Sequence, residues 1–108
     1  MAKDERKHMV HSLTYDRIAL RDGRVLVLKE RLEVPLERRH DRGIVWYASN
    51  DELGIHAYSH DRDIVEIDIE EQVGTLYTTY VESKTPATGN AMELTEKLKG
   101  MVKEIRTE

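Results

Sequence analysis

The chain contains no cysteine and no phenylalanine, two prolines and one tryptophan. Without cysteine there is no disulfide, and no thiolate for a metal or a substrate. Without phenylalanine the core relies on aliphatic side chains and on rings whose polar edge needs a partner or water, Trp46 and five tyrosines. Long apolar runs are missing as well. The longest aliphatic stretch is Val25-Leu26-Val27-Leu28, against the ~20 residues that a membrane-spanning helix requires. The opening MAKDERKHMV is charged and lacks the apolar centre of a signal peptide. These absences lead to the expectation of a cytoplasmic protein with no membrane contact. At 108 residues the chain suits one domain, which buries roughly two-thirds of its unfolded surface.

Charge is plentiful but uneven. The net charge is −4, yet residues 43–83 hold one arginine, Arg62, against nine Asp and Glu. Residues 1–42 carry an excess of three positive charges and residues 84–108 an excess of one. An acidic centre repels nucleic acid and attracts basic partners. Solvated carboxylates on a helix face have the same composition.

Residues 1–11 are polar and read as a flexible arm ahead of a single domain over 12–108. Strands are expected at about 12–20 and 25–34, flanking Asp22-Gly23, a pair suited to a tight hairpin turn. Pro35 marks the end of the second strand, and LERRHDRG, residues 36–43, reads as a charged loop. IVWYAS gives a third strand over 44–49, with Ile44, Trp46 and Ala48 on one face and Val45 and Tyr47 on the other. NDELG is a turn, and a short strand follows at 54–58.

Residues 63–83, DIVEIDIEEQVGTLYTTYVES, admit two readings. Val65, Ile67 and Ile69 alternate with Glu66, Asp68 and Glu70 as in a half-buried strand. At 100° per residue, however, Val65, Ile69, Val73, Leu76, Tyr77 and Tyr80 gather into one apolar stripe, with Ile64 and Ile67 pointing away. Asp61 or Asp63 suits the cap of such a helix. The tail is plainer: Ala91, Leu94, Leu98, Met101 and Ile105 recur at helical spacing over about 89–105, with Thr88 or Asn90 as the cap.

The run GIVWYASNDELGIHAYSHDRDIVEIDIEEQVGTLYTTYV resembles the HicB-like antitoxin domain. Trp46 and Ala48 match the family's aromatic-and-alanine strand, and Glu52-Leu53-Gly54-Ile55 with Ala57 match the short strand after it. Val65, Ile69, Val73, Leu76 and Tyr77 follow the apolar rhythm of the family's long helix. The resemblance spans about residues 25–102. It implies an α+β fold, an antiparallel sheet of three to four strands with a long helix over about 62–82 across one face and a short C-terminal helix. It also implies a non-enzymatic protein, without cofactor or metal, that pairs with a small basic RNase toxin. The stretch after Ser83 suits one helix, so no DNA-binding module is implied.

Catalytic motifs find little support. His56 and His60 have H-x3-H spacing, but the first falls in an expected strand, where the spacing no longer puts both rings on one face. Two-metal nuclease chemistry needs carboxylates converging from several elements, and no expected strand carries one at an inward central position. The serines lack a G-x-S-x-G context, and no glycine-rich loop precedes a helix. The expected partner-binding residues are therefore Asp61, Asp63, Glu66 and Glu70 for charge steering and Tyr47 and Tyr58 for contact on a sheet face. The alternative is a nucleic-acid-binding regulator using Arg38, Arg39 and Arg42. Several copies of the chain are expected to assemble, and a homo-oligomeric accessory protein of unknown ligand is a third reading.

Overall fold

In the computed structural model, residues 11–40, 42–83 and 89–107 are described. The chain order is β1 (His11–Ala19), β2 (Arg24–His40), β3 (Ile44–Asn50), β4 (Ile55–Ser59), α1 (Arg62–Leu76), a π-helical continuation of α1 (Tyr77–Glu82), α2 (Gly89–Met101) and β5 (Val102–Thr107). All five strands form one antiparallel sheet, in the order β1-β2-β3-β4, with β5 also paired to β2. This is the α+β architecture expected from the sequence. No described helix is long and apolar enough to cross a membrane.

Gly23, at φ 95°, occupies a backbone region that favours glycine and lets β1 turn back into β2. Around it, Leu20 N–H donates to Arg24 O at 2.8 Å and Gly23 N–H to Leu20 O at 3.1 Å. The β1–β2 register then breaks. Tyr15 lies opposite Leu32 but Arg17 opposite Val27, so Leu28 to Arg31 face only Asp16. The bulge bends β2, and each arm takes a different second neighbour: Arg24–Leu28 pair with β5, Leu36–His40 with β3.

Two boundaries differ from expectation. β2 runs on through Pro35 to His40 instead of giving way to a loop. Pro35 lies opposite Ser12, in the stretch of β2 that has a partner on the β1 side only, where a missing N–H is tolerated. Beyond it, Leu36 is 1 % exposed and Glu37, Arg38, Arg39 and His40 are exposed, continuing the strand as a hairpin arm. Helix α2 stops at Met101, and the last residues pair with β2 as β5, so Ile105 sits opposite Leu26. The arm expected over 1–11 lies outside the described residues apart from His11, which begins β1 and meets the Trp46 ring edge-on at 5.7 Å. Thr88, a suggested cap, also lies outside them.

Residues 63–83 are helical. Val65, Ile69, Val73 and Tyr77 are buried against Leu13, Ile18, Leu36, Ala48 and Ala57 of the sheet, with Leu76 and Tyr80 packed beside them. Each buried side chain of this kind stabilises by about 1.5–3 kcal/mol. The intrinsic cost of a mid-helix glycine is ~1 kcal/mol and that of β-branched residues a few tenths each. Burial of the stripe therefore outweighs the strand-like alternation. Gly74 itself is fitted to the sheet: a Cβ there would stand 3.1 Å from Leu20 Cδ2 and 3.7 Å from Ala19 O. Asp61 caps the helix, accepting from Asp63 N–H at 2.9 Å.

At the far end Arg24 donates through both terminal nitrogens to Glu82, at 2.7 and 2.8 Å, and through Nε to Asp22 at 2.8 Å. This ties the β1–β2 turn to the end of the helix. The Arg24 hydrogen bonds hold the Glu82 carboxyl below the usual carboxylate range. Asp22 is lowered too, chiefly by the Arg24 backbone N–H.

Two predictions follow from this packing. Ile69→Ala, at a site that is 0 % exposed, should cost about 2–5 kcal/mol in urea unfolding, and a loss within error would contradict the buried stripe. The Arg24–Glu82 pair has a depressed carboxyl pKa in the fold, so its contribution is complete above the unfolded value and disappears as pH falls through the folded one. The stability difference between the wild type and Glu82→Gln should accordingly shrink between about pH 5 and pH 2. A difference independent of pH in thermal unfolding would refute the pairing.

Candidate functional site

The residues singled out from the sequence do not converge on one site, and the sheet separates the tyrosines from the acidic residues. Tyr47 and Tyr58 lie directly opposite each other on β3 and β4, on the sheet face away from α1. Their rings stack with centroids 5.4 Å apart and an interplanar angle of 18°. The Arg39 guanidinium sits 4.2 Å from the Tyr47 ring centroid and donates to Glu37 at 2.7 Å. Tyr58 is 65 % exposed. The patch is thus an aromatic pair clasped by a cation whose charge Glu37 already balances.

The acidic residues lie on the opposite side, on α1, and they divide by task. Asp61 is committed to the helix cap. Glu66 approaches Arg62 one turn earlier at 4.0 Å, and its backbone carbonyl accepts from the Tyr15 hydroxyl at 2.8 Å. Burial, followed by the nearby Glu66 and Glu70 carboxylates, raises the Tyr15 pKa and keeps that hydroxyl a donor. Glu70 Oε2 accepts from the Ala19 N–H at 2.8 Å, which satisfies an outward-facing group on the edge strand β1. Of the four carboxylates, Asp63 is exposed and makes no side-chain hydrogen bond or ion pair among the described residues.

Two further carboxylates complete this surface, and both were passed over as partner residues in the sequence. Ile64, Ile67, Asp68 and Glu71 stand at i, i+3, i+4 and i+7, a spacing that puts them on one helix face; Asp68 is half-buried, and with Glu71 it lines a groove shared with Arg21, Gly54 and Ile55. Ile64 is 47 % and Ile67 54 % exposed. The signal for this surface is in the sequence, because both isoleucines fall outside the buried stripe.

Gln72 closes the other edge of the sheet. Its side-chain oxygen accepts from His56 N–H at 3.2 Å and its amide nitrogen donates to His56 O at 2.6 Å, so the carboxamide pairs with β4 as a further peptide unit would.

Arg38, Arg39 and Arg42 are not a cluster. Arg38 lies opposite Trp46 on the helix side of the sheet and Arg39 opposite Val45 on the far side. Arg42 is in the turn at φ 57°. His56 and His60 do not converge either: His60 Nδ1 lies 2.9 Å from Ile44 O. Among the described residues no three His, Asp or Glu side chains are grouped to hold a metal ion. Comparison with protein-family models, curated proteins and solved structures yields no match to this chain.

The double bond to His56 can be tested directly. Gln72→Ala should lose about 1 kcal/mol of local protection, seen as roughly fivefold faster hydrogen exchange of the His56 amide. Gln72→Glu keeps the acceptor and should retain part of it. An unchanged exchange rate in the alanine variant would refute the edge contact.

Proposed function

We propose that this chain is a non-enzymatic, antitoxin-like binding module whose α1 face engages a small basic protein. The observation that carries this reading is the outward face of α1: Ile64 and Ile67 are half-exposed among Asp63, Asp68 and Glu71, carboxylates with no ion pair among the described residues. Covering the two isoleucines would contribute roughly 1.5–3 kcal/mol, since about half of each side chain remains to be buried. The carboxylates would speed encounter with a cationic partner more than they deepen affinity. An RNase binds a phosphate backbone through its cations, so an acidic face matches its substrate cleft. The likeness to HicB-like domains supports the same reading and makes an RNase toxin the partner class to test. The reading invokes neither cofactor nor metal.

The tyrosine pair and the acidic helix face lie on opposite sides of the sheet, so a compact partner would engage one of them. The helix face is the one with uncommitted charge. A direct nucleic-acid role draws less support, because Arg39 is held by Glu37 and Tyr47 and lies on the face of β2 opposite to Arg38.

Co-expression with the product of the adjacent reading frame, purification by one tag and an RNA-cleavage assay test the proposal. The expected result is a stoichiometric complex that silences an otherwise active RNase. Asp63→Lys, Asp68→Lys and Glu71→Lys combined should slow association about tenfold at low salt and flatten its salt dependence. Ile64→Ala with Ile67→Ala should act on dissociation instead. A neighbour that neither binds nor cuts RNA, or a wild-type association rate indifferent to salt, would count against it.

A further inference from the structure

We propose that β5 is the seam of a symmetric dimer, in which the β5 strands of two copies pair antiparallel about Ile105 and join two sheets into one.

An open sheet edge presents unpaired N–H and C=O groups and pairs with other chains unless it is blunted. On this sheet β1 and β4 each have an outward group satisfied by α1, through Glu70 at Ala19 and Gln72 at His56. β5 differs. Among the described residues it pairs with β2 alone, and Lys103 to Thr107 are exposed along it. Ile105 is 40 % exposed although it lies opposite Leu26, a core residue. An isoleucine there is left half in water at the margin of the core.

The sequence of β5 selects both the occupant and the register. A two-fold axis perpendicular to a sheet must set one residue opposite its own copy. Centring on Lys103, Glu104 or Arg106 would set like charges face to face, which is destabilising. Centring on Ile105 sets isoleucine against isoleucine, Glu104 against Arg106 of the other copy twice over, and Lys103 against Thr107. Glu104 and Arg106 lie opposite Val27 and Val25, on the same face of the sheet, so the two charged pairs form side by side. Within one chain Glu104 and Arg106 are already 2.6 Å apart. Pairing would therefore assemble four charges of alternating sign and cover the exposed side of Ile105. Among the described residues no other centre on this strand gives an opposite-charge pair. A second copy of the chain is thus the partner that β5 fits. This does not depend on what binds α1, which leaves β5 free.

The test is the solution mass of the full chain, 12.6 kDa as a monomer, by light scattering and sedimentation equilibrium. The wild type should be a dimer. Glu104→Arg and Arg106→Glu should each raise the dimer dissociation constant at least about tenfold, because each converts two attractive pairs into two repulsive ones. The double variant should restore dimerisation. An equimolar mixture of the two single variants should do so as well, because each strand then meets its complement. That mixture is the decisive arm: both chains keep whatever their own substitution does to folding, and only the seam is repaired. Circular dichroism of each single variant when dilute reports that folding. A wild type monomeric at about 0.1 mM would overturn the proposal. So would a dimer that survives both single variants, or a mixture no more dimeric than its parts.

Discussion

The fold depends on one strand having more neighbours than its length would ordinarily allow. β2 is 17 residues long, and it pairs with β1 along both arms, with β5 at its start and with β3 at its end. The bulge opposite Asp16 makes this possible by bending β2, since an extra residue in one strand increases local twist and curvature. Leu26, Leu28, Val34 and Leu36, distributed over both arms, are all core residues. The curved sheet then holds α1, whose contacts reach both β1 and β4, the outermost strands of the four-stranded path. Gly74 is where α1 comes close to the end of β1, at Leu20 and Ala19.

Much of this was legible from local chemistry. Asp22-Gly23 marks the β1–β2 turn, NDELG the β3–β4 turn, and the stripe from Val65 to Tyr77 marks the helix, because each depends on residues within a few positions of one another. The competing VEIDIE alternation misleads because period-2 and period-3.6 patterns share Val65 and Ile69. Burial decides between them, and burial is set by the strands opposite. The two boundaries that departed from expectation have a common cause. Pro35 ends a strand only if both sides of that strand must donate, and Ile105 continues the rhythm of α2 only if nothing pairs with it. Whether β2 is open beside Pro35, and whether it accepts a partner beside Leu26, are matters of tertiary arrangement.

The candidate site was legible as composition more than as geometry. The acidic excess of residues 43–83 does reside largely on α1, but its carboxylates are not equivalent. Asp61 and Glu70 satisfy backbone N–H groups, Glu66 faces Arg62, and Glu82 is gripped by Arg24. Sequence spacing cannot separate such carboxylates from free ones, because their partners come from β1, from the first turn or from the helix's own start. Tyr47 and Tyr58 were placed on the face opposite the helix by strand alternation alone, and their stacking follows from direct cross-strand opposition in the register. The Arg39 cation reaches the Tyr47 ring only because β2 extends past Pro35, which the proline itself does not signal.

The polar side chains of α1 therefore do two kinds of work at once. One side of the helix has to fill the sheet, and its borders have to satisfy the sheet's outermost backbone groups, which uses Glu70 and Gln72. What remains, Asp63, Asp68 and Glu71 with Ile64 and Ile67, is the part of the helix that the fold does not require. Surface residues without a structural duty are free to serve recognition, whereas those that cap a helix or an edge are costly to redirect. The same reasoning separates the three edges of the sheet. β1 and β4 are answered from within the chain by α1, whose reach ends with its own length. β5 arrives last, beyond α2, on the far side of β2 from β1, where no residue of α1 is placed to cover it. Its alternation of Lys103, Glu104, Ile105 and Arg106 rejects the registers centred on the three charged residues by like-charge opposition, and the register centred on Ile105 opposes Glu104 to Arg106.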